Sequence, residues 1–134
     1  MTVLPVYGQG DTSLQAAGGF AGLQKLAADF YVAMNTRADA AVIRAMHPAD
    51  LSESTDKLAR FLTGWLGGPS LYREKYGPIS IPRAHSHLAI GTAERDAWLA
   101  CMAQALTQHD YTPEFKAYLL RALSVPAERC RTQD

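Results

Sequence analysis

The sequence predicts an all-α domain. In four longer segments, apolar residues recur every three or four positions, which is the spacing that buries one face of a helix. No segment of useful length alternates between apolar and polar residues as a half-buried strand does, and glycine and proline separate the helical segments. At 134 residues the chain is long enough for one hydrophobic core and too short for two, so we expect one domain.

The N-terminal part predicts two short helices and one long one. A short helix over 13–17 ends at a glycine pair, and a longer helix over 20–35 buries one stripe, formed by Leu23, Leu26, Phe30 and Met34. A second short helix over 38–46 ends before Pro48, because the residue preceding a proline disfavours helical geometry.

The other three long helices each have a start signal. Asp50 followed by Glu53 predicts a capping box, and the helix it opens has an inner face of Leu58, Phe61, Leu62 and Trp65. Thr92 is the expected N-cap of the next helix, whose inner face is Trp98, Cys101, Met102, Ala105 and Leu106. Thr112 followed by Pro113 starts the last helix, with an apolar side of Phe115, Leu119, Ala122 and Leu123.

Composition limits the partners and the location. Thirteen basic and thirteen acidic residues cancel, so we expect no nucleic-acid partner. There is neither an apolar run of transmembrane length nor a signal-peptide pattern, which favours a cytoplasmic protein with no membrane partner. Cys101 and Cys130 are then expected to be free thiols. We expect residues 1–12 to be a loosely ordered extension, 13–125 the domain, and 126–134 a polar tail.

A long segment without helical periodicity, 67–91, contains two of the four histidines, His85 and His87. Long irregular segments inside compact helical domains usually surround a site, so we expect this one to hold a cofactor with His85 as its ligand. His87 is the alternative ligand, and the two histidines are also a candidate zinc pair, although no Asp, Glu or Cys stands at ligand spacing beside them. His109 has no evident partner and is expected at the surface.

Several landmarks occur in a fixed order along the chain: Gly18-Gly19, Phe30-Tyr31, Met46-His47-Pro48, Trp65-Leu66-Gly67-Gly68-Pro69, His85 with Ile90-Gly91, and the run from Glu94 through Trp98 to Met102. Over about residues 14–123 this set resembles the group II truncated haemoglobins, a family of bacterial globins. The resemblance implies a two-over-two helical sandwich around haem b.

The resemblance also implies a site. It makes His85 the proximal ligand of the haem iron and places three polar side chains on the distal side: Tyr31, His47 and Trp98. The other residues it assigns to the haem are Ser54, Lys57, Leu58, Phe61, Tyr72 and Arg83. In the family an arginine usually precedes the proximal histidine directly, whereas this chain has Ala84 there and Arg83 one position earlier. Leu88 likewise stands where the family usually has phenylalanine.

The implied function is binding of oxygen and other diatomic ligands at a five-coordinate iron. The Tyr31 hydroxyl and the Trp98 indole N–H can donate to such a ligand, and His47 is expected to donate in either protonation state. Three donors favour slow release of the bound ligand and redox chemistry on nitric oxide, oxygen or peroxide. The expected activity is that of a nitric oxide dioxygenase or a peroxidase, with electrons from an unidentified reductase.

Two alternatives stay open: oxygen storage, transport or sensing without catalysis, and a helical interaction module with no cofactor. Taken singly, Tyr31 and Trp98 are more often core aromatics, and His47 is an ordinary loop residue.

We also expect Tyr31 or His47 to supply an internal sixth ligand to the haem iron in the ferric form. The protein is expected to be a monomer or a homodimer.

Overall fold

The computed structural model describes residues 6–133, and within them the chain forms helices, turns and irregular connections but no strand. The all-α prediction is confirmed. The helices are α1 (Thr12–Ala16), α2 (Gly19–Thr36), α3 (Ala41–Ala45), α4 (Ser52–Trp65), α5 (Leu71–Tyr76), α6 (Ile81–His85), α7 (Thr92–Leu106) and α8 (Pro113–Arg129), and a 3₁₀ turn over Ala38–Ala40 precedes α3.

Two helix pairs form the body of the domain. Helix α2 packs on α4, and α7 packs on α8, while contacts between α2 and α7 join the two pairs. Fully buried side chains fill the junction, among them Leu26, Phe30, Met102, Leu106 and Phe115. These are the residues of the predicted helical stripes, because burying them is what stabilises helices of this length. The fold is therefore the two-over-two arrangement that the resemblance implies.

Two glycines allow close approach at the N-terminal end of the domain. Gly18 has a φ of 87°, a left-handed conformation that separates α1 from α2. Gly67 has a φ of 101°, and a Cβ there would lie 1.8 Å from the carbonyl oxygen of Gly10. The segment preceding α1 is therefore packed directly on the end of α4.

The described part of the predicted N-terminal extension is packed rather than loose. Residues 1–5 lie outside the described residues. The ring of Tyr7 lies 5.3 Å from that of Phe115 and 5.0 Å from that of Tyr118. The backbone N–H of Gly8 donates to the hydroxyl of Ser13 at 2.9 Å.

Two predicted helix caps are wrong, and one is confirmed. Asp50 accepts from the backbone and hydroxyl of Ser52, so it forms a turn before α4, and no side chain caps that helix. Thr92 lies inside α7, and the N–H of Gly91 donates to the Glu94 carboxylate at 2.9 Å instead. Thr112 caps α8 as predicted, since it accepts from Phe115 N–H at 3.1 Å.

The segment 67–91 is not wholly irregular, because it contains α5 and α6. Neither helix has a buried residue, and both are too short to show a periodic apolar stripe. At the other end of the chain, α8 continues through Pro126 to Arg129, beyond the boundary predicted for a polar tail. A helix tolerates a proline at this position, since only one hydrogen bond close to its end is lost.

Two further side chains differ in their surroundings from what the sequence suggests. The His109 side chain is buried rather than at the surface: its Nε2 lies 2.9 Å from a carboxylate oxygen of Asp29, and its ring stacks on Tyr111 at 5.0 Å. Cys101 is buried and Cys130 half-buried, and both are free thiols as expected. Across residues 6–133, no helix is both long and apolar enough to cross a membrane.

Candidate functional site

Helices α2 to α8 surround a cavity of about 430 Å³. Its apolar walls come from several helices, for example Ile43 of α3, Leu62 of α4 and Leu123 of α8. The size and the apolar lining are typical of a site for a small organic cofactor.

His85, the last residue of α6, reaches the cavity with one nitrogen already engaged. Its Nδ1 lies 2.7 Å from the carbonyl oxygen of Ile81, one helical turn earlier. Because a carbonyl only accepts, Nδ1 carries the proton and Nε2 is left with a free lone pair. This is the arrangement in which a histidine binds a metal, with the second nitrogen fixing the ring and its tautomer.

Tyr31 and Trp98 line the cavity and pack around Phe30. The Phe30 ring lies 5.0 Å from the Tyr31 ring and 4.9 Å from the Trp98 ring. Burial raises the pKa of Tyr31 to about 12, so its hydroxyl keeps its proton at neutral pH. No described residue accepts a hydrogen bond from the Tyr31 hydroxyl or from the Trp98 indole N–H, so both donors remain available to a ligand.

His47 also lines the cavity, edge-on to Tyr31 at a ring distance of 5.6 Å. Its Nδ1 donates to the carbonyl oxygen of Ile43 at 2.8 Å, so the neutral ring presents an unprotonated Nε2. Burial, the largest cause, lowers the pKa of His47 and favours this neutral form. The expectation that His47 donates in either protonation state therefore changes: its remaining nitrogen is an acceptor when the ring is neutral.

The predicted contacts on α4 and α5 also face the cavity: Ser54, Lys57, Leu58, Phe61 and Tyr72. The Lys57 ammonium lies 2.8 Å from the Glu53 carboxylate and 5.2 Å from the centre of the Tyr76 ring. A cation is thereby held at the cavity edge, where an anionic group of a cofactor can reach it.

Arg83 is exposed and does not line the cavity, although the sequence suggested a cofactor contact. The inward residues of this segment are Ile81, Ala84, His85 and Leu88, which follow the i, i+3, i+4, i+7 spacing of one helical face. Arg83 lies off that face, so the helical turn directs it elsewhere.

The end of α8 was missed. Leu123, Pro126, Ala127 and Cys130 line the cavity with that same spacing, so the inner stripe of α8 runs past residue 125. This spacing is present in the sequence, although the tail from residue 126 was predicted to lie outside the domain. Glu94 and Arg95 at the start of α7 are also part of the wall and were not predicted to be.

Residues 12–128 match the family described as bacterial-like globin. The chain belongs to this family. A curated relative, the group 2 truncated haemoglobin YjbI of Bacillus subtilis, is 33% identical over 92 residues, which cover 69% of this chain and 70% of the relative.

Solved structures agree on both fold and subgroup. The group II 2-on-2 haemoglobin from Agrobacterium tumefaciens is 36% identical, with a TM-score of 0.84 over 100% of both chains. A truncated oxygen-avid haemoglobin from Bacillus subtilis is 29% identical, with a TM-score of 0.80 over 89% of this chain and 98% of that one. The chain is thus a group II truncated haemoglobin, and as a globin it binds haem and small diatomic ligands.

The cavity of this truncated haemoglobin fits a haem. It combines apolar walls for the porphyrin, a histidine with a free nitrogen for the iron, and the Lys57 ammonium at the edge for a propionate. The zinc alternative has less support, since no three His, Cys, Asp or Glu side chains within the described part of the chain are grouped as metal ligands.

Proposed function

We propose that this truncated haemoglobin holds haem b through His85 and performs redox chemistry on nitric oxide, oxygen or peroxide, with electrons from a separate reductase. The haem supplies an iron that binds a diatomic ligand and changes its oxidation state. The b type is favoured because Cys101 and Cys130 are far apart in the sequence, whereas covalent attachment needs a Cys-x-x-Cys-His motif. The observation that carries the redox proposal is the pair of unused donors, Tyr31 and Trp98.

Two donors pointed at one small ligand slow its release. Each hydrogen bond contributes about 0.5–1.5 kcal/mol, so the Tyr31 hydroxyl and the Trp98 N–H together slow release roughly tenfold or more. Packing on Phe30 holds both rings in place before a ligand arrives. Slow release suits a catalyst better than a carrier, and the relative from Bacillus subtilis described as oxygen-avid supports this view.

His47 has a different role, because its free nitrogen accepts. The His47 ring lies edge-on to Tyr31, so an acceptor stands beside the Tyr31 side chain, and the structure shows no hydrogen bond between the two. The same lone pair makes His47, rather than the still-protonated Tyr31, the residue that we expect as an internal sixth ligand in the ferric protein. A high-spin, water-bound ferric spectrum at every accessible pH would contradict this expectation.

Oxygen release and nitric oxide consumption test the proposal together. We would measure stopped-flow oxygen dissociation for the parent, Tyr31→Phe and Trp98→Phe, with Tyr118→Phe as a matched tyrosine control outside the cavity lining. We expect each cavity variant to release oxygen roughly 2- to 12-fold faster and the control to match the parent. We also expect the oxygen-loaded parent to consume nitric oxide and to turn over when a reductant is supplied.

Two results would count against the redox role. One is fast release that neither cavity variant changes, which favours storage, transport or sensing. The other is slow release without consumption of nitric oxide or peroxide. A purified chain that takes up no added haem would instead contradict the site itself and favour an interaction module.

A further inference from the structure

The chain beyond α8 binds the loop that follows α6. The backbone N–H groups of Thr132 and Gln133 donate to the carbonyl oxygen of Ile90 at 2.8 and 3.1 Å. The Thr132 hydroxyl accepts from the N–H of Ile90 at 2.9 Å and donates to the carbonyl oxygen of Leu88 at 2.5 Å. We name residues 130–133 the C-terminal clasp.

The clasp acts on residues directly coupled to His85. The N–H of Leu88 donates to the carbonyl oxygen of His85 at 3.0 Å, while the carbonyl of the same Leu88 receives the Thr132 hydroxyl. Leu88 and Ile90 also line the cavity. The N–H of Leu88 is therefore bound to His85, and the carbonyl oxygen of Leu88 is bound to the clasp.

Helix α6 needs such support because it has no buried residue of its own. Packing fixes a buried side chain strongly, whereas a short exposed helix depends on hydrogen bonds at its ends. The orientation of His85 thus depends on the bond to Ile81 within α6 and on the loop that the clasp holds.

Ion pairs attach the clasp to the rest of the domain. The Glu128 carboxylate on the last turn of α8 is bound by Arg95 of α7, and it also receives two bonds from Arg131, at 2.7 and 2.9 Å. Arg95 is itself part of the cavity wall. The residue immediately before Thr132 is therefore tied through Glu128 to α7.

We propose that Thr132 is a positioning residue that acts through Leu88 and Ile90 to fix the orientation of His85 toward the haem iron and to slow haem loss. This proposal rests on the proposed role of His85 as the iron ligand. The Thr132 hydroxyl is the decisive group, because it accepts from the N–H of Ile90 and donates to the carbonyl oxygen of Leu88.

The test uses the haem-loaded full chain and its Thr132→Val and Thr132→Ser variants. Valine has the shape of threonine without the hydroxyl, and serine keeps the hydroxyl. Thr107→Val is the matched control, since the Thr107 hydroxyl also binds a backbone carbonyl, that of Gln104 at 2.6 Å, on an exposed helix end outside the cavity lining. The readouts are the rate of haem transfer to apomyoglobin and the iron–histidine stretching band in the resonance Raman spectrum of the ferrous protein.

We expect Thr132→Val to lose haem roughly two- to tenfold faster and to show a broader iron–histidine band, because His85 samples more orientations. Thr132→Ser and Thr107→Val should match the parent in the rate of haem loss and in the iron–histidine band. The proposal is overturned if Thr132→Val matches the parent, if valine and serine have the same effect, or if only the melting temperature changes. A parent spectrum with no iron–histidine band would overturn the assignment of His85 itself, which is a distinguishable failure.

Discussion

The two sides of the cavity are built in different ways. Tyr31 and Trp98 come from the middle of α2 and α7, whose inner faces are fully buried around Phe30. His85 comes from α6, which spans Ile81–His85 and has no buried residue. Packing therefore fixes the side of the cavity that carries Tyr31 and Trp98, while backbone hydrogen bonds and ion pairs fix the side that carries His85. The proposed donors thus lie in the more tightly packed part of the domain.

Removing His85 should have the largest effect. We expect His85→Ala to weaken haem binding by more than the roughly 10- to 100-fold typical of losing a residue that only supports a metal ligand. Added imidazole should restore a histidine-like spectrum, because it supplies the missing nitrogen while the cavity is kept. The measurement is a haem titration, with His87→Ala as the control on the exposed neighbour. Equal losses in the two variants would mean that His85 is not the ligand.

Truncation of Phe30 should destabilise the packed side strongly. Phe30 is 0% exposed and contacts both aromatic donors, so Phe30→Ala should lower the free energy of unfolding by about 3–5 kcal/mol. Urea unfolding of the haem-loaded protein measures this change in the free energy of unfolding. Ile81→Ala is the matched comparison, because Ile81 is a half-buried side chain of α6, and we expect about 1–2 kcal/mol there. Similar values for both variants would remove the distinction between the two sides.

Acid should weaken the polar connection between α4 and α5, which leads to α6. Asp56 of α4 binds Lys75 at 2.8 Å and Tyr76 at 2.6 Å on α5, and these bonds, then Arg60, hold the pKa of Asp56 at about 2. A lowered pKa contributes stability above the ordinary value of 3.8, and this contribution is lost as the pH falls through about 2. Since Asp56 and its partners are partly exposed to solvent, we expect this contribution to the free energy of unfolding to be about 1 kcal/mol.

The variant Asp56→Asn tests this contribution. It should unfold at a lower urea concentration than the parent at neutral pH, and the difference should shrink as the pH falls toward 2 and vanish below it. Acid acts on the other titratable groups of both proteins alike, so the difference between them isolates Asp56. Asp110→Asn alters an exposed carboxylate elsewhere and serves as the control. A difference that persists unchanged at pH 2 would show that the Asp56 charge is not responsible.

The same contrast explains what could be predicted from the sequence. The long helices were predictable, because burial imposes a periodic pattern that is visible in α2 and α7. The donor roles of Tyr31 and Trp98 were implied only by the resemblance to group II truncated haemoglobins. Helices α5 and α6 were not predictable, since five or six residues without a buried side show no such pattern. The acceptor role of His47 and the clasp at Thr132 depend on hydrogen bonds to backbone carbonyls, which no side-chain pattern reports.

The smallest expected effect concerns the ionisation of Tyr31. Burial raises its pKa to about 12, so the stability gained from the neutral hydroxyl is complete below pH 10 and is lost as the pH rises through about 12. In a tyrosinate absorbance titration, the parent and Tyr31→Phe should coincide up to about pH 11. Above about pH 11 the Tyr31→Phe variant should lack one of the six tyrosine contributions to the absorbance. A Tyr31 contribution centred near pH 10 would mean that solvent reaches the hydroxyl and that the donor is less well preorganised than packing on Phe30 implies.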